Sequence, residues 1–252
     1  MDNDRPLRLT PELVALLPGS VPDPGPMNRP AVDFCAATTA RCVLGRLEKD
    51  APLWVFAFGS ILWKRRFAVV DERPARVRGW HRKFCLGPDT RYRGNPDAPG
   101  VMLSLARGGQ CAGKVLRMED AGREEALVHL LENEPPIPPA WVTAQTPQGP
   151  VRAIAFVVDK GFVGYCGGLS EAEVADRLAL AVGMWGTMAE YLMNTVRHLE
   201  DLGICDNYLT RMERMVAERL MAERLMAKRL LTERLMAVEP SVPRPDLGGA
   251  AG

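Results

Sequence analysis

Apolar residues gather along this chain in short blocks. The longest, Leu53-Trp54-Val55-Phe56-Ala57-Phe58, breaks at Gly59-Ser60 and resumes as Ile61-Leu62-Trp63. Runs of this length, rich in Val, Leu and Phe and bounded by Gly and Pro, predict buried strands at 53–58, 75–86, 101–105, 111–117 and 151–158. Gly108-Gly109 and Asp97-Ala98-Pro99-Gly100 supply turns between them. Two segments instead carry helical spacing. From Met118 to Asn133, Leu127, Val128, Leu130 and Leu131 share a broad face, and Pro135-Pro136 stops the run. The second helix opens at Ser170-Glu171-Ala172-Glu173, a capping box, and places Val174, Leu178, Ala181, Met184 and Trp185 toward the core.

The expected fold is therefore α+β: a mixed sheet curling into a small barrel with flanking helices and a C-terminal helical extension. Residues 1–50 read as an N-terminal arm, with a short helix near Pro11 to Leu17 and a Pro/Gly-rich stretch from Pro18 to Pro26. Residues 51–215 form the domain. Residues 216–238 carry a five-residue repeat, Ala217-Glu218-Arg219-Leu220-Met221 and its successors. At about 100° per residue each repeat advances by about 140°, which scatters Leu and Met around the helix and argues against a heptad zipper. Self-association through this helix is the expectation if nothing else covers it. Residues 239–252 read as a disordered tail.

Charge narrows the partners. With 32 Lys plus Arg against 31 Asp plus Glu, the net charge of +1 leaves no broad footprint for nucleic acid. The six cysteines form no Cys-x-x-Cys pair and only three histidines accompany them, so neither a zinc site nor a disulfide framework is indicated. The chain opens without a secretory pattern and holds no apolar run of the ~18 residues that a membrane span needs. A cytoplasmic protein acting on a small molecule is expected.

Four segments, in order, carry a resemblance: Val55 to Trp63, Val77-Arg78-Gly79-Trp80-His81-Arg82, Tyr92-Arg93-Gly94-Asn95-Pro96, and Tyr165-Cys166-Gly167-Gly168-Leu169. Together with Asn194-Thr195-Val196 and Leu202-Gly203-Ile204, this set resembles the ChaC-type γ-glutamylcyclotransferases over roughly residues 53–215. The resemblance implies a lyase that needs no cofactor or metal. The γ-glutamyl α-amine attacks its own γ-carbonyl, forming 5-oxoproline and, from glutathione, cysteinylglycine.

It also implies site residues. Glu134 matches the family's acid/base glutamate, with Glu132 as the alternative if the register slips. Val55, Phe56, Ala57, Phe58, Gly59, Ser60 and Ile61 would floor the pocket, with backbone N–H groups of the Gly59-Ser60 turn holding a substrate oxygen. Arg91 and Arg93 are candidates for a glycyl carboxylate, and Tyr165 for a residue closing over the ligand. Departures from the family pattern are Phe58 for tyrosine, Ala57 for glycine, and Glu132-Asn133 where basic residues are common. Another γ-glutamyl substrate, or a silent binding protein with the same pocket, are the competing readings.

Overall fold

The computed structural model describes residues 7–25 and 34–237, with side chains described as far as Leu230. The tail at 239–252 and parts of the N-terminal arm lie outside the described residues. Five strands form a closed barrel in the order β1-β3-β2-β4-β5. They are β1 (Trp54–Ala57), β2 (Val69–Asp89), β3 (Gly100–Met118), β4 (Ala140–Thr146) and β5 (Gly149–Ala155). β1 closes the barrel, antiparallel to β3 on one side and parallel to β5 on the other.

That position explains its composition. A short strand paired on both edges and packed on both faces has no solvent side, so Trp54, Val55, Phe56 and Ala57 are all buried. Gly113 on β3 is where the neighbouring backbone comes closest, since a Cβ there would lie 2.3 Å from the Ala57 carbonyl oxygen.

The hairpin of β2 and β3 is longer than the periodicity predicts. The expected strands at 101–105 and 111–117 are one strand, because Gly108 and Gly109 take positive φ inside a bulge rather than turning the chain. Opposite them Gly79 also has positive φ, and the pairing steps from Arg78↔Gln110 to Trp80↔Arg107. β4 is not predicted by the apolar pattern: only Val142 and Ala144 are buried in it, with Ala140 and Trp141 partly buried and Thr143 and Gln145 exposed.

Helix α1 (Pro11–Val14) is capped by Thr10, and α2 (Ala36–Leu44), also unforeseen, packs against α3 (Arg123–Asn133). α3 begins later than expected, because Met118 still pairs with Val69 in the sheet and the chain then turns through Gly122 at positive φ. The capping box at Ser170 opens α4 (Glu171–Leu180) as read from sequence. The helix does not continue to Trp185. The chain instead forms a small hairpin, β6 (Val182–Gly183) and β7 (Gly186–Thr187), in which the Met184 and Trp185 N–H groups donate to the carbonyls of Arg91 and Tyr92. Gly183 permits this, as a Cβ there would lie 2.3 Å from the Tyr92 carbonyl oxygen.

Helices α5 (Met188–Asp201) and α6 (Asn207–Ala237) complete the structure. α6 buries Leu209, Met212, Val216, Ala217 and Leu220, and its paired Glu213 receives Arg8 from the N-terminal segment. Farther along, Leu225, Met226 and Leu230 are exposed. No helix among the described residues is long and apolar enough to cross a membrane.

Replacing Gly113 by Ala should force β1 away from β3 and cost about 1–3 kcal/mol. Thermal unfolding checks this, with Gly161→Ala, which meets open space, expected to change the midpoint little.

Candidate active site

Pro135 shapes the site first. A residue preceding proline is pushed out of helical geometry, so α3 ends at Asn133 and Glu134 takes an extended conformation, with φ −106° and ψ 166°. Its side chain then faces two cavities. The smaller, about 20 Å³, is lined by Phe58, Gly59, Ser60, Ile61, Met102, Leu103, Glu134, Pro135, Phe156 and Tyr191. The larger, about 420 Å³, runs from Met102 and Glu134 past Leu131, Asp89 and Tyr92 to Trp185.

Glu134 keeps some accessible surface because it lines these cavities, but protein atoms crowd its carboxyl. Burial pushes the carboxyl up to about 7, against the opposing pull of Arg66 and Lys64. Glu132 is exposed; it lines the larger cavity and is not among the residues around the smaller one. The structure thus brings Glu134, rather than Glu132, to the Gly59-Ser60 turn.

The turn itself is held from behind. Gly59 caps a 3₁₀ turn at Ser60–Leu62, and the preceding Phe58 carbonyl accepts from Arg82 Nε at 2.7 Å. Arg82 is buried, donates also to the Ala112 carbonyl, and pairs with Asp206 at 3.0 Å. Asp206 in turn accepts from the N–H groups of Tyr208 and Leu209 at the start of α6. A buried guanidinium with each of these acceptors in place is costly to disturb, so it fixes the direction of the chain entering Gly59.

Tyr191, from α5, is the residue that sequence reasoning missed. Its hydroxyl lies so near the turn that a Cβ on Gly59 would stand 3.0 Å from it. Burial and the nearby Glu134 push the phenol up to about 12, partly offset by Arg93 and by Ser60, so it stays protonated and able to donate. In sequence, Tyr191 is one more apolar-face residue of an amphipathic helix, with no motif to mark it.

The other expected residues divide. Phe58, Gly59, Ser60 and Ile61 line the smaller cavity, whereas Val55, Phe56 and Ala57 belong to the barrel core. Arg93 is buried and committed: its guanidinium donates to the Thr187 carbonyl and to Glu190, both at 3.0 Å, and lies over the Tyr191 ring. It backs the site rather than facing into it. Arg91 is bound by both oxygens of Asp23. Tyr165 pairs with Leu86, which lines the larger cavity, but its own ring folds over Gly167, where a Cβ would lie 2.1 Å from the hydroxyl. Among the described residues no group of three or more His, Cys, Asp or Glu side chains is arranged to hold a metal ion.

The profile of the family described as ChaC-like protein matches residues 53–219. The chain belongs to the ChaC-like family. This ChaC-like protein is 32% identical over 190 residues to the glutathione-specific gamma-glutamylcyclotransferase of Escherichia coli K12, covering 72% of this chain and 82% of that one. It is 30% identical over 178 residues to gamma-glutamylcyclotransferase 2-3 of Arabidopsis thaliana, covering 65% and 88%. In three dimensions it is similar to the crystal structure of the yeast gamma-glutamyl cyclotransferase specific to glutathione, with a TM-score of 0.60 at 18% identity, over 67% of this chain and 97% of that one. The barrel and its helices are thus a γ-glutamylcyclotransferase fold.

A raised carboxyl pKa predicts a stability signature. The folded protein holds the Glu134 proton more tightly than the unfolded chain, so this group's contribution is full below about 4.5 and is lost as pH rises through about 7. Glu134→Gln should therefore melt higher than the parent at pH 8, with the difference shrinking toward pH 5; thermal scans across that range check it.

Proposed function

We propose that this ChaC-like protein is a γ-glutamylcyclotransferase that cleaves glutathione to 5-oxoproline and cysteinylglycine, with Glu134 as its acid/base. The observation that carries this reading is the buried Glu134 carboxyl opening on the same small cavity as the Gly59-Ser60 turn. The names of its relatives in Escherichia coli and Arabidopsis agree with the substrate class.

The reaction needs positioning and a proton path. Because nucleophile and electrophile sit on one glutamyl unit, folding that unit back on itself removes much of the entropic barrier. Its α-ammonium, with a pKa near 8, must lose a proton before attack. Transfer to an ordinary carboxylate near 4.3 would cost about 5 kcal/mol; transfer to one near 7 costs about 1 kcal/mol. The elevated Glu134 is matched to that step.

The amine then attacks the γ-carbonyl carbon, a new C–N bond closes the ring, and the old amide C–N bond breaks. The proton held by Glu134 passes to the departing nitrogen as the C–N bond breaks, and the second proton that the ring nitrogen must shed follows by the same carboxylate, so 5-oxoproline keeps one N–H, cysteinylglycine leaves with its ammonium, the carboxylate is regenerated and no water is consumed. Backbone N–H groups at Gly59-Ser60 and the Tyr191 hydroxyl are the donors proposed to steady oxygens of the glutamyl group. The Phe58 and Phe156 rings and Leu103 exclude water from the closing ring.

Incubation with glutathione, followed by quantification of 5-oxoproline and cysteinylglycine, tests the reading. Glu134→Gln should lower kcat by about 10²–10⁴-fold, while Glu132→Gln should retain most of the rate. kcat/KM should fall as pH drops through about 7, where Glu134 takes up its proton. Turnover of other γ-glutamyl compounds but not glutathione would reassign the substrate, and thermal stabilisation by glutathione without product would identify a silent binder.

A further inference from the structure

The departing half of the proposed substrate ends in a carboxylate, and the two arginines that sequence suggested for it are already engaged, Arg91 by Asp23 and Arg93 by Glu190. A different pair stands beside the larger cavity. Lys64 Nζ lies 5.1 Å from the centroid of the Trp185 ring and the Arg66 guanidinium 5.6 Å from it, and Trp185 lines that cavity. Both cations are half-buried, and among the described residues neither has a carboxylate within ion-pair distance. Arg65 between them turns away and pairs with Glu72.

Two like charges gathered on one indole repel each other. Burial first, then Arg66 and Arg93, pull the Lys64 ammonium down from its usual value. The ring attracts each cation, but the pair still lacks a counter-charge. Glu134 acts on both cations electrostatically, but among the described residues it forms no ion pair with either. The field is therefore set for an anion that the described residues do not supply. Glu190, the other acidic group acting on Lys64, is taken by Arg93.

We propose that Lys64 and Arg66, carried on Trp185, form the receptor for the carboxylate at the leaving end of the peptide. This selects γ-glutamyl peptides with a free C-terminus over the corresponding amides, esters and γ-glutamyl amines. The inference rests on the activity proposed above. Two residues span about 7 Å when extended, and Glu134 and Trp185 line the same cavity of about 420 Å³. The fork of Arg66 suits two carboxylate oxygens, with Lys64 as a point charge beside it.

The test compares glutathione with its C-terminal glycinamide analogue as substrates of the full-length protein. The parent should prefer the acid by about tenfold or more in kcat/KM, chiefly through KM. Lys64→Met and Arg66→Gln should each bring that ratio toward one by raising KM for glutathione, and Arg66→Lys should restore part of it. Equal turnover of acid and amide by the parent, or an acid preference that survives both neutralising variants, would overturn the receptor while leaving the cyclotransferase reading intact. Failure of the parent to cyclise either compound would overturn both. If a variant does not fold, the acid-to-amide ratio of the parent decides alone.

Discussion

Closure of the barrel by β1 is the constraint on which everything else depends. Four residues, Trp54 to Ala57, are paired on both edges and buried on both faces, so their position is set by β3 and β5 together. Where the pairing ends, the chain has no freedom to wander: Arg82 takes the Phe58 carbonyl, and Gly59 starts a 3₁₀ turn against the Tyr191 hydroxyl. The position of this turn is set by the barrel, not by a loop of its own. Rigid placement of this kind is what an intramolecular cyclisation requires, since misdirection by an ångström forfeits the entropic advantage of a tethered nucleophile.

Glu134 is delivered by a second, independent device. The Pro135-Pro136 pair ends α3 and turns Glu134 into extended geometry, while Leu127, Leu130 and Leu131 anchor the helix in the core. Pro135 also lines both cavities onto which Glu134 opens, and burial there raises the carboxyl. The result is a carboxyl that resists ionisation in the folded state, a cost to stability that the proposed proton transfer would use.

Much of this was readable from the chain because the signals were local. An apolar block ending at Gly-Ser, a capping box at Ser170 and a proline pair after an apolar helix each act within a few residues, and each stands where the pattern put it. The failures share a different character. Gly108-Gly109 looks like a turn, but the long β2–β3 pairing absorbs it as a bulge. Met184 and Trp185 continue a helical spacing, but backbone bonds to Arg91 and Tyr92 draw them into a hairpin. Tyr191 and the Lys64/Arg66 pair gain meaning only from elements distant in sequence, which no window of local pattern contains.

The departure at Glu132-Asn133 fits this picture. The resemblance places basic residues there, yet here the positions are acidic and neutral, and Glu132 is exposed. Positive charge beside Trp185, which lines the large cavity, comes instead from the segment after the 3₁₀ turn, at Lys64 and Arg66. These cations lower the Glu134 carboxyl from a distance, while burial keeps it near 7. Moving the charge from the helix terminus to an indole platform therefore separates two duties. In the proposed reaction the environment of Glu134 governs the proton, and the cations meet the far end of the ligand. A basic side chain in contact with the carboxylate would join the two, because any gain in anion binding would also depress the base.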